Sequence, residues 1–200
     1  KRVPRKNLAK VGGVSLIGRA IHAAWEAGIA PEDIVVSTDD AEISDWIRSA
    51  GRPATIHDRP PALAQDYSQI EAAMSHWFRR LDEKPDVIVM MQCTSPFRTA
   101  RHVKEALQLL EVTGADSVVG VSAGHDTHFA GRMKPRETGE AAWWEWQPFS
   151  PHTGSSRPRT QDLPPRGVEN GSIYVTRRRA WETSELRASG VTVALPMSRI

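Results

Sequence analysis

Apolar positions along the 200-residue chain recur at two spacings, one after the other. Over 15–28, Leu16, Ile17, Ala20, Ile21, Ala24 and Trp25 fall at helical spacing, and Gly28 supplies a stop. Residues 33–37 then form a short apolar run that predicts a buried strand. The 39–50 stretch predicts a helix, with Ile43, Trp46 and Ile47 on one face and Gly51 at its end. A weak strand follows at 53–57. Over 68–81 the period is helical again, with Ile70, Met74, Trp77, Phe78 and Leu81 inward. The run at 87–91 is unbroken and apolar, so 86–92 predicts a central strand buried on both faces. A helix over 99–110 begins at a threonine cap, and 117–122 is another buried strand. The core pattern resumes as a strand at 172–176, a short helix near Ala180 and a strand at 191–195. Strand–helix alternation of this kind predicts an α/β sheet with right-handed crossovers.

Between 123 and 165 the periodicity fades, and Gly, Pro, His and Arg become dense. A compact domain rarely holds so long a structureless loop. The stretch therefore predicts an inserted arm at 123–165, within a core made of 1–122 and 166–200. Trp143, Trp144 and Trp146 cluster on an expected strand of that arm. They suit either a protein interface or a cover for the core.

Composition narrows the class. Apolar residues are 40% and charged residues 25%, an ordinary globular balance. No apolar run approaches the length of a membrane span. A single cysteine, Cys93, excludes an internal disulfide framework, and the opening at Lys1 lacks the form of a secretory leader. A cytoplasmic protein is the expectation. The net charge of +2 argues against nucleic acid as the partner. Basic residues are instead grouped locally: Lys1, Arg2, Arg5, Lys6 and Lys10; then Arg157, Arg159 and Arg166; then Arg177, Arg178 and Arg179. Such clusters on a near-neutral chain suit small anionic ligands.

Ligands of open α/β sheets bind beyond the carboxyl ends of strands. Those ends carry Ser37, Thr38, Asp39 and Asp40, then Gln92, Cys93, Thr94, Ser95 and Pro96. Asp39 and Asp40 also suit helix capping, and 94–96 suits a plain turn. Gln92 ends an apolar strand, where a buried amide needs partners and can read a ligand edge. Lys1, Arg2 and Lys6 lie in a Pro-stiffened segment and can surround a polyphosphate; a solvated basic segment is the alternative. The phosphate fingerprints G-x-x-x-x-G-K-[ST] and G-x-G-x-x-G are absent. His125 and His128 lack further ligands for a metal, and Cys93 suits a small buried hydrophobe better than a nucleophile.

Read together, these segments resemble the acylneuraminate (CMP-sialic acid synthetase) cytidylyltransferases. The residues that carry the resemblance are K-R-V-P-R-K-N at 1–7, I-V-V-S-T-D-D at 34–40, R-P-P-A-L-A-Q-D at 59–66, Q-C-T-S-P-F-R at 92–98, R-T-Q-D-L-P at 159–164 and E-N-G-S-I-Y at 169–174. They run in the family's order across nearly the whole chain. The resemblance implies a Rossmann-like nucleotidyltransferase fold with a mostly parallel sheet and an inserted dimerisation arm. It implies the reaction of CTP with a nine-carbon sugar acid, giving the CMP-sugar and pyrophosphate with Mg²⁺ assistance. By motif, Lys1, Arg2, Lys6, Asn7, Arg59 and Ser68 would bind the nucleotide. Gln92, Gln161, Asn170 and Tyr174 would bind the acceptor, and Lys6, Gln92 and Arg159 would carry the chemistry. A homodimer is implied, with each arm reaching the partner's site.

The departures are specific. The family's first strand and the A-R-x-G-S part of its loop would precede Lys1, and its D-x-D metal carboxylates would follow Ile200. The resemblance thus implies little turnover by the 200 residues alone. Cys93 stands where the family's turn has proline, which should loosen that turn. The alternatives are the same chemistry on legionaminic, pseudaminic or deaminated sialic acid, or a non-catalytic nucleotide-binding relative.

Overall fold

The structure is a computed structural model describing residues 3, 5–49, 51, 54–123, 131–138, 141–148 and 167–197; for 123, 131–138 and 141–148 the description is of the backbone. The chain divides into two compact units: Lys1–Gly120 with Glu169–Leu195 and Ile200, and Val121–Val168 with Pro196–Arg199.

In the first unit a 3₁₀ turn, Lys6–Leu8, leads into a small hairpin, β1 (Lys10–Val11) and β2 (Val14–Ser15). The pattern reading passes over this hairpin, although Gly12-Gly13 between two short segments is a turn signal. Arg19 holds it by donating to the Val11 carbonyl at 2.9 and 2.5 Å. Helix α1 (Leu16–Glu26) starts where the Ser15 hydroxyl accepts the Gly18 N–H at 3.1 Å. Its buried stripe is Ile17, Ile21 and Ala24; Trp25, expected inward, is 54% exposed because it lies one residue round from that stripe. Strand β3 (Val35–Thr38), helix α2 (Ala41–Ser49) and strand β4 (Thr55–Asp58) follow. β3 and β4 pair in parallel, with Thr38 opposite Asp58. Ile17, Ile21, Ile34, Ile43 and Ile47 close one core around them.

Helix α3 (Ile70–Arg79), strand β5 (Val87–Met91), helix α4 (Ala100–Thr113) and strand β6 (Ser117–Ala123) occupy the predicted places. The cap of α4 is reciprocal: Thr99 and His102 bond each other's backbone, and Gly114 ends the helix in a left-handed turn. Strand β9 (Gly167–Arg177) is far longer than its apolar run, and helix α5 (Arg178–Ser184) and β10 (Thr192–Pro196) complete the order. A four-stranded sheet runs β10-β6-β9-β5. A second core forms where Phe78 and Ile88 meet Trp181, which is 1% exposed.

The α/β class holds, and the sheets are mixed. β9 lies antiparallel to β5, with Val89 opposite Val175. Parallel neighbours need a crossover, usually a helix. β9 instead follows the 123–166 segment, so periodicity gives no sign of its direction. Within the second unit, β7 (Gly131–Thr138) and β8 (Ala141–Pro148) form a hairpin with Met133 opposite Trp146. β8 is the strand expected around the tryptophans. No described helix is long and apolar enough to cross a membrane.

Candidate nucleotide and acceptor site

The parallel register of β3 and β4 sets Arg59 beside the end of β3. Its backbone N–H donates to the Thr38 carbonyl at 2.9 Å. Its guanidinium donates to the Ser37 hydroxyl at 3.1 Å and to the Ser37 carbonyl at 2.6 Å. A cavity of 260 Å³ opens there, lined by Thr38, Asp39, Asp40, Arg48, Asp58 and Arg59 among others. Asp40 takes the capping role, its carboxylate accepting the Glu42 N–H at 2.9 Å. His57, which the motif reading does not single out, meets Ser37 and the ring of His76, both at 2.9 Å. Burial foremost, then His76, Arg59 and Arg80, hold the His57 pKa below its ordinary value, against an opposing pull from Asp58.

At the end of β5 the Cys93 thiol donates to the Asn7 side-chain oxygen at 3.2 Å. This bond brings the Lys6–Leu8 turn against the strand end that carries Gln92. Arg5, in a left-handed conformation at φ 49°, precedes that turn and pairs with Glu42 at 3.1 Å. Burial pushes the Cys93 thiol up, while its backbone bond, Arg98, Lys6 and Arg59 pull it down. Three cations from three segments thus act on one atom. A thiol kept protonated by burial is a poor nucleophile. The expected loosening of the turn is offset by this tie, since proline in place of Cys93 has no donor to offer Asn7.

Of the acceptor residues expected from the motifs, Gln92 and Asn170 flank the same strand end, and Tyr174 lies further along β9, opposite Met90. Gln92 lies over Gly171, where a Cβ would stand 3.4 Å from the Gln92 side-chain oxygen. Asn170 accepts the Ser172 N–H at 2.9 Å. Tyr174 is only 3% exposed; its hydroxyl donates to Glu169 at 2.9 Å and Arg187 lies 4.9 Å above its ring. Burial first and Glu169 second raise its pKa. Gly171 has φ +69°, which disfavours any side chain. We expect Gly171→Ala to destabilise the fold by about 1–2 kcal/mol. It should also raise the KM for the second substrate several-fold by displacing Gln92, checked by chemical denaturation beside steady-state kinetics. A KM unchanged at that loss of stability would show that Gln92 does not depend on Gly171.

Arg98 closes the site from below. It is 5% exposed and donates to the Gln92 carbonyl at 2.9 Å and the Ser172 carbonyl at 2.5 Å. Burial pushes its pKa down to about 10, so it stays charged near neutrality. The motif containing it is visible in the sequence; that it turns inward is not. Ser68 bonds within its own loop, its hydroxyl donating to the Ala62 carbonyl at 3.2 Å and accepting the Gln65 N–H at 3.1 Å. Lys1, Arg2, Arg159 and Gln161 lie outside the described residues.

The acid-lined cavity and Arg59 lie at the strand ends of the β3–β4 sheet, and the amides at the ends of β5 and β9 in the four-stranded sheet, the places where α/β proteins bind ligands. The fold is similar to that of a CMP:2-keto-3-deoxy-manno-octonic acid synthetase solved with CTP. The TM-score is 0.68 at 17% identity, covering 98% of this chain and 85% of that one. Residues 1–130 match the family described as Cytidylyltransferase, and the chain belongs to that family. N-acylneuraminate cytidylyltransferase B of Danio rerio is 32% identical over 183 residues, 92% of this chain. CMP-N,N'-diacetyllegionaminic acid synthase of Legionella pneumophila is 33% identical over 135 residues, 61% of this chain and 53% of that protein. The chain spans 40% of the length of the Danio relative.

Proposed function

We propose that this chain carries the CTP-binding and acceptor-binding residues of an enzyme that joins CTP and a nine-carbon sugar acid into the CMP-sugar with release of pyrophosphate. The observation that carries the reading is the Asn7–Cys93 bond, because it brings Lys6 to the strand end that bears Gln92. The acid's anomeric oxygen attacks the α-phosphate, its proton leaves, and the bond to the pyrophosphate oxygen breaks. Lys6, with Lys1 and Arg2, neutralises the triphosphate as that bond lengthens. Arg59 and Asn7 hold the nucleotide, with Ser68 in the segment lining its pocket. Gln92, Asn170 and Tyr174, with Arg159 and Gln161, orient the acceptor. Such catalysis is positioning and charge neutralisation rather than covalent work.

The 123–165 segment is the inserted arm of this reading, through which two copies pair, and the compartment is the cytoplasm. Magnesium belongs to the same proposal. Among the described residues, however, no group of three or more His, Cys, Asp or Glu side chains could hold a metal ion. No step above passes through the metal.

Pyrophosphate release by the full-length protein supplied with Mg²⁺ tests the reading, with CTP, UTP, ATP and GTP each crossed with N-acetylneuraminate, its deaminated analogue, legionaminate and an eight-carbon acid. Release confined to CTP with a nine-carbon acid is expected. Lys6→Ala should lower kcat/KM about a hundredfold. Release indifferent to the base, or from no pair, overturns the proposal. The Legionella relative favours legionaminate as the second acceptor to test.

A further inference from the structure

Two histidines that the reaction does not use form a chain leading to Arg59. Arg80 bonds His76 Nε2. His76 Nδ1 meets His57 Nε2 at 2.9 Å, and His57 Nδ1 meets the Ser37 hydroxyl at 2.9 Å. Arg59 Nε reaches the same hydroxyl at 3.1 Å. The direction of every bond follows from one fact: a guanidinium only donates. His76 Nε2 must accept from Arg80, so the ring's single proton lies on Nδ1. That proton is donated to His57 Nε2, which leaves the His57 proton on Nδ1, facing Ser37. The Ser37 oxygen therefore accepts twice, once from His57 and once from Arg59. Both rings are neutral and both carry the proton on Nδ1.

We propose that His57 and His76 are positioning residues for Arg59, holding the Ser37 hydroxyl as a fixed acceptor so that the guanidinium stays aimed at the nucleotide. This rests on the reading of Arg59 as a nucleotide contact. Without the chain, Ser37 can rotate, and Arg59 keeps only the carbonyl bond. Proton uptake breaks the chain, because a doubly protonated ring accepts nothing. His76 would lose Arg80, or His57 would lose His76. The charged groups around the pair are Arg59 and Asp58 from the end of β4, and Arg80, just after α3. Arg79 and Glu71 of α3 and Glu185, just after α5, border the groove beside His76. Burial and the cations favour neutral rings, so the chain is intact at neutral pH and fails only below the usual histidine value of 6.5.

Nitrogen-15 NMR of the histidine rings reads the chain without activity. Both His57 and His76 should show Nδ1–H and a bare Nε2 near neutral pH, and a proton on Nε2 of either neutral ring overturns the proposal. Kinetics supply the second arm. His57→Phe removes both bonds and should raise the KM for CTP roughly three- to tenfold, with kcat changed less than about twofold. His57→Asn keeps a donor toward Ser37. It should restore the KM for CTP and hold it flat as pH falls, where the unaltered protein loses affinity. A KM for CTP unmoved by His57→Phe, while Arg59→Met raises it, overturns the proposal and leaves the nucleotide reading intact. A KM unmoved by Arg59→Met overturns the nucleotide contact itself, and the proposal with it.

Discussion

Arg98→Met should destabilise the protein by about 2–4 kcal/mol and disable the site with it. Two effects oppose each other here. Arg98 is a buried charge, no carboxylate pairs with it among the described residues, and its Nε has no partner. Its lowered pKa, about 10, measures that penalty. Removing such a charge can stabilise a core. Against this, one nitrogen bonds the Gln92 and Ser172 carbonyls. Bonds from a charged donor are worth about 1.5–3 kcal/mol each, and a buried carbonyl left bare costs about 1–3 kcal/mol. The bonds outweigh the burial. The same loss frees the end of β5 from β9, so Gln92 and Asn170 lose their common frame. Urea denaturation read beside pyrophosphate release checks both parts. A variant as stable as the parent would show that burying the guanidinium costs as much as its bonds return.

Gly190→Ala should cost a similar amount for a different reason. Gly190 has φ +65°, and a Cβ there would lie 2.4 Å from an Asp116 carboxylate oxygen. That carboxylate cannot move away freely. It accepts the Val191 N–H at 2.9 Å and the Arg179 guanidinium at 2.9 Å. The Val191 bond first, then Arg179, holds its pKa below the ordinary carboxylate value. Its contribution is therefore present above that value, 3.8, and is lost as pH falls through the lower folded value. The left-handed conformation alone costs an alanine about 1–2 kcal/mol, and the clash brings the total to about 2–4 kcal/mol. A double-mutant cycle separates the two. In an Asp116→Ala background, Gly190→Ala should cost only the conformational part. An equal cost in both backgrounds would sink the assignment of the clash to Asp116.

These two positions show how unevenly the chain discloses itself. The 92–98 turn is legible as a motif, and Gln92 stands out because an amide ends an apolar strand. Arg98 is there only the last residue of the motif, and nothing local marks it as buried, since charge normally stays in water. Its burial depends on carbonyls from Gln92 and Ser172, 80 positions apart. Gly171 sits inside a motif, yet only its φ and the Gln92 side chain above it explain the glycine. His57 and His76 carry no motif at all. Each looks like an isolated polar residue until β4 and α3 bring the rings together.

The sequence by itself determined the succession of strands and helices, the cap at Thr99, and the polar strand ends that are the candidate ligand positions. These depend on neighbours within a turn or two, and hydrophobic period, capping side chains and glycine stops record such neighbours directly. Only the tertiary structure decided the antiparallel return of β9, the tie between Asn7 and Cys93, the inward turn of Arg98 and the histidine chain behind Arg59. Each joins residues far apart in the chain. A contact of that kind depends on how the elements pack, and no local pattern of apolar and polar residues encodes it.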